Sequence, residues 1–295
     1  MRFNRPIYAK FLGLPTLLVC LCAGSMAEYM RQEPPPNPSP AELIRRVVQN
    51  ELKAADNNGE FCTWKQKTVK PNRTTVRQLV ETPDGLLARI LSLDDKPLTP
   101  DQQQKEDARI NRLLDPKQMQ QKRKEQKEDE ARTRKLVAAL PDAFVYKQIG
   151  TEEKNGHTLV TFHFTPNPDF DPPSRETLVY EGMEGTVEVD STAMRLLKID
   201  GTMFRDVSIG WGIIGHLDKG GRFEVQQNEV AKGIWEITYM RLNFTGKALI
   251  FKNIRIDETD TSTDFHKVPK MTVAEAINFL KKTDSENGTV AGALK

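Results

Sequence analysis

One string in this sequence spells a chemistry letter for letter. Gly210-Trp211-Gly212-Ile213-Ile214-Gly215 matches the G-x-G-x-x-G turn that wraps a dinucleotide pyrophosphate. Such a site also needs a strand before the glycines and a long helix after them, whose N-terminus holds the phosphate. Only His216 to Lys219 follow before Gly220 and Gly221 break the chain, so no cofactor is expected. What the string offers instead is apolar surface. Trp211, Ile213, Ile214 and Leu217 crowd a short bend, and they either pack inward or rim a hydrophobic opening.

The remaining reactive residue types form no recognisable set. His157, His163, His216 and His266 fall at no metal-ligand spacing, and no cysteine pair accompanies them, so no metal is expected. A Gly-x-Ser-x-Gly elbow is absent. Carboxylates are plentiful at Glu181, Glu184, Glu188, Asp190, Glu224 and Glu236, but they alternate with apolar residues and are expected to face solvent. Cys62 sits beside Phe61 and Trp64 with no activating base, as a small buried hydrophobe would. The chain therefore reads as a non-enzyme with no catalytic residues.

The elements that would position an apolar site are clearer. Residues 156–257 are short alternating segments parted by turns. Val160, Phe162 and Phe164 alternate with Thr161 and His163. Val187 and Val189 alternate with Thr186, Glu188 and Asp190. Residues 222–226 and 235–239 repeat the scheme. Period 2 is the mark of an antiparallel sheet with one dry and one wet face. Further strands are expected at about 60–69, 73–81, 86–93 and 143–149, and Pro141 is expected to end the helix before the last of these. Ser39-Pro40-Ala41-Glu42 opens a helix. Leu43, Ile44, Val47, Val48, Leu52 and Ala55 make its apolar stripe, and Asn57-Asn58-Gly59 ends it. Thr272 to Glu275 is a second capping box, followed by a short amphipathic helix.

Residues 98–140 differ in kind. Asp115-Pro116 restarts a helix after a break, and from Gln120 to Glu130 no aliphatic or aromatic residue occurs. Only the ends of that helix are expected to dock. Its middle is either a solvated hairpin arm laced with i,i+4 pairs or a contact for an envelope protein or membrane headgroups. Lys122, Arg123, Lys124 and Lys127 are the candidate contact residues.

The ends bound the compartment. Arg2, Arg5 and Lys10 precede an apolar run from Phe11 to Leu21, and Ser25-Met26-Ala27 offers small residues to a signal peptidase. Residues 1–27 are expected to be a signal peptide, 28–38 a Pro-rich linker, 39–282 one domain and 283–295 a disordered tail. A lipid-anchored form on Cys20 or Cys22 is disfavoured, because Val19 and Leu21 stand where a lipobox wants a small residue. Removal of the signal would leave Cys62 unpaired. Over 295 residues the net charge is +2, which gives no electrostatic case for nucleic acid, and the product is expected to be a periplasmic or secreted monomer.

The segments Glu181 to Asp190, Arg195 to Gly201 and Gly246 to Lys252, set in an order of signal, capped helix, three strands, helical excursion and long meander, resemble the lipoprotein carriers and receptors of the Lol system (LolA/LolB-like) and the related lipoprotein-sorting proteins. The resemblance implies an α+β fold, a curved antiparallel sheet forming a half-closed barrel with helices over its open side. It also implies a hydrophobic cavity for lipid or lipoprotein acyl chains. The residues expected to line that interior are Trp64, Val187, Val189 and Phe223, with Trp235 and the Trp211, Ile213 and Ile214 loop. Whether they line a cavity or fill a core is left open by the sequence, and a filled interior would suit an envelope scaffold better than a carrier.

Overall fold

A computed structural model describes residues 38–56, 59–209, 215–248 and 252–292. The signal and linker expectations, apart from Pro38, lie outside the described residues, as do Trp211, Ile213 and Ile214. In chain order the elements are helix α1 (Pro40–Asp56), strands β1 (Phe61–Lys70), β2 (Arg73–Thr82), β3 (Gly85–Leu93) and β4 (Lys96–Pro97), then helices α2 (Pro100–Asn111) and α3 (Pro116–Ala143). Strands β5 (Phe144–Lys154) and β6 (His157–Pro166) follow. A 3-10 turn at Glu176–Gly182 leads into β7 (Met183–Asp190), β8 (Arg195–Met203), β9 (Val207–Ile209), β10 (Gly215–Leu217), β11 (Arg222–Ala231), β12 (Ile234–Ala248) and β13 (Lys252–Val268). Helix α4 (Val273–Gly292) ends the fold.

All pairings are antiparallel, in the order β4-β3-β2-β1-β13-β12-β11-β8-β7-β6-β5, with β9 and β10 branching from β12. Strands β4 and β5 are edges, so the sheet does not close. Turn chemistry fixes several joints. Asn155 and Gly156 both take positive φ (53° and 82°), the backbone of a two-residue hairpin whose twist suits its strands. Ser39 Oγ accepts from the Glu42 N–H (3.2 Å), and Thr272 and Glu275 cap α4 reciprocally (3.3 and 2.8 Å).

Two of three buried clusters form the main cores, on opposite faces of this one sheet. On the inner face, Leu43, Ile44, Val47 and Val48 of α1 and Ala139 and Ala143 of α3 pack on Val160, Phe162, Phe164, Val187, Val189 and Ile199. On the outer face of β2 and β3, Val80 and Leu87 meet Ile110 of α2, Met119 of α3, and Ala276, Ile277 and Leu280 of α4. The capped amphipathic helix expected after Thr272 supplies part of this second layer through Ala276, Ile277 and Leu280.

The structure departs from the sequence-based bounds in two places. Pro141 does not end its helix; it sits inside the last turn of α3, which runs to Ala143. Strand β5 and the 3-10 turn at Glu176–Gly182 hold the last turns in place. Tyr146 Oη donates to the Leu140 carbonyl (2.7 Å) and Tyr180 Oη to that of Leu136 (3.0 Å). Helix α4 likewise continues to Gly292, past the Thr283 where a frayed tail is expected. No proline interrupts it, and extending a nucleated helix costs little.

Candidate apolar binding face

Cross-strand partners share a sheet face, so the register strings side chains into rows. One inner row runs Phe162, Val187, Ile199, Val225, Met240, Asp260 from β6 to β13. A second runs Phe164, Gly185, Gly201, Phe223, Leu242, Glu258. The first three members of the first row are buried under α1 (1, 4 and 7 % exposed). Val225 and Met240 are half-buried, as are Phe223, Leu242 and Phe244, and Ile256 opposite Phe244 is 38 % exposed. Helix α1 packs chiefly on β8 and meets β11 through Glu51 and Gln227 (3.1 Å), so Val225 and Met240 lie beyond its main cover. The glycine pair leaves no groove of its own. A Cβ on Gly201 would lie 2.9 Å from Met183 Sδ and 3.5 Å from Phe164 Cζ, so those side chains occupy the gap.

At the other end of the inner face, Trp64 is 9 % exposed and stacks on Phe265 (5.6 Å between centroids). Pairing of β12 with β13 begins only at Tyr239, and the register of β11 slips twice near the hairpin tip. The tip peels from β13 and carries Ile234 onto Cys62, Trp64, Leu79 and Phe265. Cys62 is 3 % exposed, and its thiol is pushed up to about 11, by desolvation first and then by Glu81 and Glu236, so it stays a thiol.

Between these two ends lies a polar cluster that the sequence reading missed. Glu51 of α1 pairs with Arg195 Nη2 (3.0 Å), and its Oε1 accepts from the Leu196 N–H (2.8 Å) and Gln227 Nε2 (3.1 Å). The Arg195 guanidinium lies over the Trp235 ring (5.3 Å). Glu236 is pushed up to about 7, by desolvation and then by Glu81, with Arg195 pulling the other way. Glu81 is raised by desolvation while accepting from the Cys62 N–H (2.9 Å). One signal was legible. Glu51 stands four residues after Val47 and so lies on the apolar stripe of its own helix.

Two carboxylates expected to face solvent are buried. Asp190 (2 % exposed) accepts from the Thr192 and Ala193 N–H groups (2.9 and 2.8 Å) and meets His157 Nδ1 (2.6 Å), tying the β7–β8 turn. Glu224 (9 % exposed) is covered on the outer face by Lys198 (2.8 Å) and Arg222 (3.6 Å). Among the described residues no group of three or more His, Cys, Asp or Glu is placed to hold a metal ion.

The other sequence candidates are scattered. Val187 and Val189 are buried beneath α1, Phe223 is half-buried in the second row and packs against the inner core, and Trp235 belongs to the polar cluster. On α3, Arg123 pairs with Asp84 (2.9 Å) and Lys124 reaches Glu128 (4.0 Å). Lys122 is pushed down by desolvation and then by Arg109. Arg123, Lys124 and Lys127 border a shallow surface hollow of about 460 Å³. A cleft of about 650 Å³ opens beside Ala138, Ala139 and Asp142 of α3 and the Pro-rich loop at Asn167, Phe170 and Pro173, away from the uncovered rows.

No protein-family model and no curated protein sequence matches the chain. Among solved structures it is similar to an outer membrane lipoprotein-sorting protein domain from Vibrio parahaemolyticus, at 11 % identity and TM-score 0.29, over 77 % of this chain and 93 % of that one. It is also similar to a LolA superfamily protein from Nitrosomonas europaea, at 9 % identity and TM-score 0.28, over 76 % and 94 %. Likeness at these scores carries no functional weight.

Proposed function

We propose that this protein is a non-enzymatic carrier or binding protein for the acyl chains of lipids or lipoproteins, acting in the periplasm or outside the cell after export by its N-terminal signal. One observation carries the reading. The apolar rows of the inner face continue past the edge of α1, so that Phe223, Val225, Met240, Leu242, Phe244 and Ile256 keep partial exposure on a surface lined by apolar groups. Contiguous apolar surface of this kind costs free energy in water and is relieved by a ligand or partner. Each methylene laid on it contributes about 0.8 kcal/mol. Helix α1 borders the strip and is held to α3 at the surface by Arg45–Asp142 (2.7 Å) and Arg134–Asp56, so its displacement would widen the strip toward Val187 and Val189. The test is native mass spectrometry and solvent extraction of the purified protein, with titration by an environment-sensitive apolar dye. Co-purifying lipid, or saturable dye binding lost in Met240→Asp, is the expected result. A ligand-free preparation that also fails to bind the dye would sink the proposal.

A further inference from the structure

We infer that Arg195 is the oxygen-recognising end of the apolar strip, and that it selects an uncharged acyl carbonyl, ester or amide, over a free carboxylate. The inference rests on the acyl-binding reading above and deepens it. Arg195 is 9 % exposed, and its Nε–H is buried with no hydrogen-bond partner. An orphaned guanidinium N–H is a donor without an acceptor, which folded proteins seldom leave unmet. Trp235, half-buried on the β11–β12 hairpin, covers the guanidinium face, and β12 carries Met240 and Leu242 of the strip onward from it. A chain lying along that strip toward Trp235 would bring its head group to Arg195.

Charge decides which oxygen fits. The positive charge of Arg195 is already met by Glu51, whose carboxylate is itself saturated by the Leu196 N–H and Gln227. Asp190 stands opposite Arg195 in the strand register, and Glu236 and Glu81 act on the same corner, all three acids. The cluster is therefore neutral or negative, never positive. A ligand carboxylate would add an unpaired negative charge to a partly desolvated site, whereas an ester or amide oxygen accepts from Nε–H and adds none.

The experiment uses the full chain at about pH 8, where a fatty acid is ionised in water. Dye displacement by palmitate and by methyl palmitate is compared, with the tryptophan emission lost in Trp235→Phe as a second readout. Wild type is expected to favour the ester. Glu51→Gln releases the charge of Arg195 and is expected to shift the ester-to-acid affinity ratio toward the acid by about tenfold. Arg195→Gln is expected to abolish the preference, and Arg195→Lys serves if that variant folds poorly. A wild-type preference for the acid, or a ratio unmoved in Glu51→Gln, overturns the assignment while acyl binding stands. Failure of either ligand to displace the dye from wild type overturns both.

Discussion

Val187 and Val225 are the same residue type, on the same face of the same sheet, in the same cross-strand row. Val187 is 4 % exposed and belongs to the inner core, whereas Val225, two strands along, is half-buried. The strands do not make the difference. Helix α1 packs on β8 and meets β11 through Glu51 and Gln227 (3.1 Å) near the hairpin tip, and past that contact core turns into surface. A pattern of alternating valines therefore specifies a dry face without specifying what dries it.

The strongest test of that contrast is Phe162→Ala. Phe162 is 1 % exposed beneath α1, and its loss should destabilise the fold by about 3–5 kcal/mol in urea or thermal melts. Met240→Ala in the continuing row should cost less than about 1 kcal/mol and fall chiefly on dye affinity. Equal losses of stability would mean that the two halves are one core after all.

The next effect concerns charge at the border between the halves. The Glu236 carboxyl holds its proton to about pH 7, against 4.5 ordinarily. Over that interval the folded chain binds more protons than the unfolded one. The stability from this group is complete below about 4.5, declines as pH rises, and is gone above about 7. Glu236→Gln should accordingly raise the melting temperature at about pH 8, by the equivalent of about 1–3 kcal/mol, and leave it nearly unchanged at about pH 4.5. A gain of equal size at both pH values would remove the buried-carboxyl account. The smallest effect expected is at Arg123, whose pairing with Asp84 is exposed on both sides. Arg123→Ala should cost about 0–1 kcal/mol in the same melts.

Much of this architecture was legible before any coordinates. Periodicity located the strands of the meander, and Ser39, Asp115-Pro116 and Thr272 marked helix starts that the structure keeps. These are local rules, and local rules survive folding. The candidate site was less legible, because it depends on which element covers which row. No periodicity in β11 shows how far α1 covers it. Glu236 reads as solvent-facing in an alternating strand, yet the register slips at the hairpin tip bring it toward Glu81 and Arg195. The second core on the outer face escaped for the same reason. Val80 and Leu87 are two apolar residues on strands whose expected bounds assign no face, and nothing nearby in sequence says that α2 and α4 lie over them.

Helix α3 touches both cores. Met119 near its start is buried with Leu87 and Leu280, and Ala139 and Ala143 near its end are buried with Val47 and Phe162. Between them Arg123 and Gln126 fasten it to the β2–β3 turn, through Asp84 and the Leu86 carbonyl (2.9 Å each). Its 28 residues span about 42 Å. A rod clamped at both ends makes two spatially separate cores one unfolding unit, because neither can come apart without stripping the helix from the other. The protein should melt in a single transition, and backbone amides in α4 and in β6 should exchange with deuterium at one common, global rate.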